Sequence, residues 1–159
     1  MVYSPFDMLL GVWVGELQTY DLQGRLKKTD TTAETIRWLN AEKTLMHFSN
    51  TVGRRKGRHE DYDVTFTVLG DTLVGKDKQN TYYKGYTLPG NAFLFQLKNN
   101  DKNNPKGEHF AMYNTQYFAS ETERRIVGPY LLIDSDKVPA LPHEVSFQTF
   151  TRTSMVAPP

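Results

Sequence analysis

Tyr62-Asp63-Val64-Thr65-Phe66-Thr67-Val68-Leu69-Gly70-Asp71-Thr72-Leu73-Val74-Gly75-Lys76 is the stretch on which the fold turns. Tyr62, Val64, Phe66 and Val68 alternate with polar residues, which is the period of a strand with one face buried. Leu69-Gly70-Asp71 then supplies a hairpin turn, because Gly accepts backbone angles that other residues resist. A second short run, Thr72 to Lys76, follows it.

The same grammar extends in both directions. Towards the C-terminus, Thr81 to Thr87 and Ala92 to Lys98 flank the turn Leu88-Pro89-Gly90-Asn91. His109 to Phe118, Glu123 to Ile133 and Glu144 to Arg152 read as three further strands. Towards the N-terminus, Thr44 to Val52, Thr31 to Leu39 and Val12 to Tyr20 read the same way, with Asn40-Ala41-Glu42-Lys43 and Asp21-Leu22-Gln23-Gly24 as turns. Ser4-Pro5-Phe6-Asp7-Met8-Leu9-Leu10 is one short helical turn with Ser4 as its cap. No segment keeps a helical period over the length of a real helix. About ten short antiparallel strands in series predict an all-β, closed up-and-down barrel, since closure removes the exposed edges.

Composition narrows the function. The chain has 159 residues, which suits a single domain over 1–159. It has no Cys, so no disulfide framework, thiolate metal site or Cys nucleophile is available. The basic and acidic residues number 19 and 18, which gives no electrostatic footprint for nucleic acid. Apolar runs are too short to span a membrane, and residues 1–7 lack the pattern of a signal peptide, so a cytoplasmic protein is expected. There is no Gly-x-Ser-x-Gly elbow and no phosphate-binding loop. Arg54-Arg55-Lys56-Gly57-Arg58 and Arg124-Arg125 read as solvated hairpin tips. The Asn-rich run from Asn99 to Gly107 reads as a polar loop, placed to act as a lid if it lies at a barrel mouth.

Gly11-Val12-Trp13, following a capped turn, resembles the Gly-x-Trp signature of lipocalins and other calycins. Gly11-Val12-Trp13-Val14-Gly15 looks most like the nitrobindin-type branch, whose barrels begin with Gly-x-Trp-x-Gly. The resemblance implies a barrel floor in which a late Arg, here Arg152 of Phe150-Thr151-Arg152, stacks on the early Trp13. A planar guanidinium over an indole is a favourable cation–π contact.

If Trp13 points inward, alternation sends Gly15, Leu17 and Thr19 inward, and Arg152 carries Phe150, Gln148 and Ser146 with it. Ile36 and Trp38 put Glu34 on the inner face, and Phe93, Phe95 and Leu97 share a face. The surplus of aromatics, nine Tyr and nine Phe, predicts a pocket walled by Trp38, Phe93, Phe95 and Phe150, with Gln148, Glu34 or Tyr113 as its polar element.

Three functions fit this pattern. The first is a binding protein for a small apolar or aromatic molecule, with no cofactor. The second is a cofactor-independent cyclase or isomerase, with Glu34, Tyr113 and His47 as candidate proton carriers. A Glu34 buried without a cation would have the raised pKa that such chemistry uses. The third is a haem protein. His143, after Leu141-Pro142, stands where the nitrobindin resemblance implies an iron ligand. No two of His47, His59, His109 and His143 have paired metal-ligand spacing, so no zinc site is expected.

Overall fold

The computed structural model describes residues 3–54, 58–77, 81–99, 108–134 and 137–159, with side chains described for 3–53, 63–77, 82–96, 114–128 and 144–159. A short 3-10 helix, Pro5–Leu9, precedes β1 (Gly11–Tyr20), β2 (Leu26–Trp38), β3 (Leu45–Arg54), β4 (Arg58–Leu69) and β5 (Thr72–Lys76). Then come β6 (Thr81–Leu88), β7 (Ala92–Asn99), β8 (Glu108–Ser120), β9 (Glu123–Asp134) and β10 (Lys137–Ser154). Each strand pairs antiparallel with the next, and β1 closes on β10 to make a complete barrel. The closing register sets Trp13 opposite Arg152, Gly15 opposite Phe150 and Thr19 opposite Ser146. The all-β closed barrel expected from the hairpin grammar is therefore the observed fold.

Three strands start well before their pattern suggests. β4 begins at Arg58 rather than Tyr62. β2 begins at Leu26 rather than Thr31, and its first four residues are all exposed, so no in–out alternation marks them. β10 begins at Lys137 rather than Glu144. Pro139 and Pro142 read as strand breakers, but the register shifts between Lys137 and Leu141 and again between Pro142 and Glu144. Irregular pairing is where a sheet tolerates proline.

One end of the barrel is plugged by the 3-10 helix. Ser4 caps it by accepting from the Phe6 amide at 3.2 Å, and Asp7 accepts from the Ser4 amide in return. Phe6 and Leu9 are wholly buried in the plug. Three side chains from the barrel wall hold the plug in place. The Trp13 indole N–H donates to the Leu9 carbonyl at 2.9 Å, and an Arg152 N–H donates to the Met8 carbonyl at 2.6 Å. The Trp38 indole N–H donates to Asp7 at 2.8 Å. The first two of these bonds satisfy carbonyls that a helix end otherwise leaves without partners.

Above the plug, one side of the interior is aromatic. Phe48, Phe66 and Phe95 meet with ring centroids 4.9, 5.8 and 6.3 Å apart, mostly edge to face. Glycines make room for these rings. A Cβ at Gly85 would lie 2.6 Å from the Phe95 ring, and one at Gly75 would press on Val64 and Phe66. Among the described residues no helix is long and apolar enough to cross a membrane.

Candidate functional site

Opposite the aromatic wall, the interior is polar, and its centre is an ion pair. Glu34 on β2 and Arg124 on β9 reach towards each other past β1 and β10, and the guanidinium donates to the carboxylate. Arg124 is completely buried. Its other N–H donates to Gln116 at 3.3 Å, and Gln116 donates onward to Asn114 at 3.2 Å. On the far side, Asn50 donates to Glu34 at 3.2 Å and to Thr32 at 3.4 Å. A continuous polar chain thus runs from β3 across to β8. Burying a charge is costly unless it is paired and hydrogen-bonded, and each charge here is both.

The ion pair rests on the aromatic floor. The Arg124 guanidinium lies 4.7 Å from the Phe150 ring and 4.8 Å from the Trp13 indole. Arg152 lies over the same indole at 4.5 Å. Burial, and then the neighbouring charge of Arg124, lower the pKa of Arg152, while Glu121 opposes them. An arginine remains charged through such shifts.

Burial varies along the inner face. Trp13, Ile36, Met46 and Phe150 at the floor have no exposed surface. Higher up, inward-facing Glu34, Asn50 and Gln148 are only partly covered, with 12% of the Glu34 side chain exposed. Part of this middle layer therefore stays in contact with water, while Thr19, Thr32, Asp30 and Ser146, further from the plug, are buried again.

The anticipated aromatic wall divides between these levels. Trp38 and Phe93 belong to the plugged floor, where Phe93 packs on Phe6 and Phe118 at 6.0 Å each. Phe95 stands in the aromatic wall above it. Phe150 lies beneath Arg124. Gln148 is inward and half-covered, between Ser146 and Phe150 on its strand.

Of the candidate proton carriers, the structure does not bring His47 to Glu34. His47 sits between inward-facing Met46 and Phe48, so its ring faces outward, where Nε2 is 2.7 Å from Asp63. Tyr113 pairs through its backbone with Gln96, but its side chain lies outside the described residues. The side chains of His59, His109 and His143 and the polar loop 100–107 also fall outside them.

Arg124 overturns one expectation. Arg124-Arg125 reads as a solvated tip, yet Arg124 is the most enclosed charge described, and Arg125 alone is exposed. The signal that identifies it is parity: Arg124 is two residues before Ile126 and shares its inner face. Glu34, expected to be buried without a cation, is instead paired with Arg124. Among the described residues, no group of three or more His, Asp or Glu is placed to hold a metal.

No protein-family model matches the chain, and no curated protein matches it. Solved structures do. A protein of unknown function from the DUF3598 family of Nostoc punctiforme superposes with a TM-score of 0.69 at 16% identity, over 96% of this chain and 50% of that one. The chain thus spans half the length of that neighbour. The S-type phycobiliprotein lyase CPES from Guillardia theta superposes with a TM-score of 0.65 at 11% identity, over 95% and 92% of the two chains. Rv2717c from Mycobacterium tuberculosis gives 0.57 at 11% identity, over 96% and 99%. At these identities the likeness is one of fold, a closed antiparallel barrel of ten strands.

Proposed function

We propose that this barrel binds a small, largely aromatic molecule in its interior, flat against Phe48, Phe66 and Phe95, with its polar edge towards Asn50, Asn114 and Gln148. The observation that carries this reading is the contrast in burial along the inner face. The floor is sealed, whereas polar side chains one layer above it stay partly uncovered. A barrel that used its interior only as a core would fill that layer with apolar side chains. A ligand site has the composition seen here, an apolar wall with a few convergent polar groups. Within calycin-like barrels, the Gly-x-Trp-x-Gly start at Gly11 to Gly15 favours the nitrobindin-type branch.

In this reading Glu34 and Arg124 shape the site. Both Glu34 oxygens accept hydrogen bonds, one from Arg124 and one from Asn50, so the carboxylate is placed to hold a guanidinium rather than to exchange a proton with substrate. Binding is favoured over cyclase or isomerase chemistry on that ground, and it requires no cofactor.

The test is a fluorescence titration with the neutral dye prodan. The expected result is a saturable blue shift that disappears in Gln148→Trp, a variant that fills the uncovered layer. Circular dichroism should show the same strand content in both proteins. Binding that survives Gln148→Trp would place the dye outside the barrel and remove the proposal.

A further inference from the structure

Among the described residues, the upper interior contains two side chains with a buried oxygen that neither accepts nor donates a hydrogen bond. Asp30 on β2 is 7% exposed and Thr19 on β1 is 1% exposed. Neither Asp30 Oδ2 nor Thr19 Oγ1 has a hydrogen-bond partner. Thr19 is opposite Lys28 in the β1–β2 register, so Asp30 is its diagonal neighbour on the inner face. Two described neighbours are satisfied internally. Ser146 donates to the Gly128 carbonyl at 3.3 Å, and Thr32 accepts from Asn50. The Nε atoms of Arg124 and Arg152 also lack partners, but those guanidiniums stack on floor aromatics.

A buried carboxylate oxygen without a donor costs stability, and folded proteins rarely retain one without use. Lys28 offsets part of the Asp30 charge, since its Nζ lies 4.0 Å from Oδ2, beyond hydrogen-bond distance. What the pair lacks is therefore a donated hydrogen bond more than a counter-charge.

We infer that Asp30 and Thr19 are the hydrogen-bonding end of the interior site and select an aromatic heterocycle carrying an N–H donor. This rests on the binding function proposed above. The ring's N–H donates to Asp30 Oδ2, and the Thr19 hydroxyl adds a second polar contact. A site built around such a bond rejects an isostere that lacks the donor, because the buried acceptor is then left unpaired.

Indole and benzofuran are the matched probes, with the same shape and N–H replaced by O. Ligand-observed NMR titrations against the full chain should show indole bound about ten- to a hundredfold more tightly, as expected for a hydrogen bond to a carboxylate. Asp30→Leu, which removes the acceptor, should bind both probes alike, and Thr19→Val should narrow the preference. The melting temperature of Asp30→Leu should be no lower than that of the parent, because an unsatisfied polar group is removed; this also confirms that the variant folds. Equal binding of both probes to the parent protein, or a preference that persists in Asp30→Leu, overturns the inference and leaves the binding reading standing. Prodan binding without indole binding does the same. If neither probe nor prodan binds, the binding function itself fails, and this inference with it.

Discussion

Replacing Arg124 by Met strands the Glu34 carboxylate inside the barrel. The guanidinium is fully buried, pairs with Glu34, donates to Gln116 and lies on the Trp13 and Phe150 rings. Breaking a buried pair from one side typically costs about 3–5 kcal/mol, mostly because the remaining charge is uncompensated. Here 12% of the Glu34 side chain stays exposed and Asn50 still donates to it, so the lower end applies, about 3 kcal/mol. For a domain of this size that is a fall of roughly 6–12 °C in Tm. Removing both charges, as Glu34→Leu with Arg124→Met, leaves no stranded ion and should cost only about 1 kcal/mol, so the double variant is more stable than the single. Urea denaturation of the four proteins in the cycle measures both quantities. A single variant within about 1 kcal/mol of the parent, or a double variant no better than the single, would refute the claim that the pair holds the interior together.

Further outcomes follow from the floor and its plug. Trp13→Ala should lose roughly 3–5 kcal/mol by denaturant unfolding, since the indole is wholly buried and tethers the helix at Leu9. Burial opposes ionisation of Asp7, but hydrogen bonds from Lys43, Trp38 and Ser4 outweigh it and hold its pKa below the usual carboxylate value. The unfolded chain then binds the proton more readily, so this contribution is fully present above about pH 4 and is lost as pH falls through the depressed folded value. The stability gap between the parent and Asp7→Asn should therefore shrink from neutral pH to about pH 3 in urea melts. Visible absorption of the purified protein should show no Soret band, and chelators should leave Tm unchanged; a Soret band abolished by His143→Ala would favour the haem reading instead.

The fold was legible because a barrel repeats one local rule. Val64 and Phe66 mark the inner face of β4, and Gly70, with a φ of 66°, turns the chain into β5. The same parity, begun at Trp13 and Ile36, sets Leu17, Thr19 and Trp38 inside. The strand ends were less legible, because Leu26 to Thr29 are exposed on both faces and show no period there. The plug was legible as a capped turn, but not the contacts that fix it. Trp38 donating to Asp7 joins residues that no local pattern relates.

The polar chain was hidden for a different reason. Local pattern reading treats a charge as evidence of solvent, and Arg124-Arg125 satisfies that rule until parity is applied to it. On a strand, two adjacent residues must face opposite ways, so a pair of arginines between Glu123 and Ile126 cannot both be solvated unless the strand has ended. Ile126 requires the inner face, and Arg124 shares it. A charge on the inner face in turn requires a partner of opposite sign on another inner face. Glu34, set inward by Ile36 and Trp38, meets that requirement once closure leaves only β1 and β10 between β2 and β9. Asp30 lies on the same face of the same strand, four residues further from the plug, and there no described donor reaches its Oδ2. Of the two inward carboxylates, Glu34 is thus held by donated hydrogen bonds from within the chain, whereas Asp30 has Lys28 as a counter-charge and no hydrogen bond to Oδ2, which is why the proposed ligand contact falls on Asp30 and the structural role on Glu34.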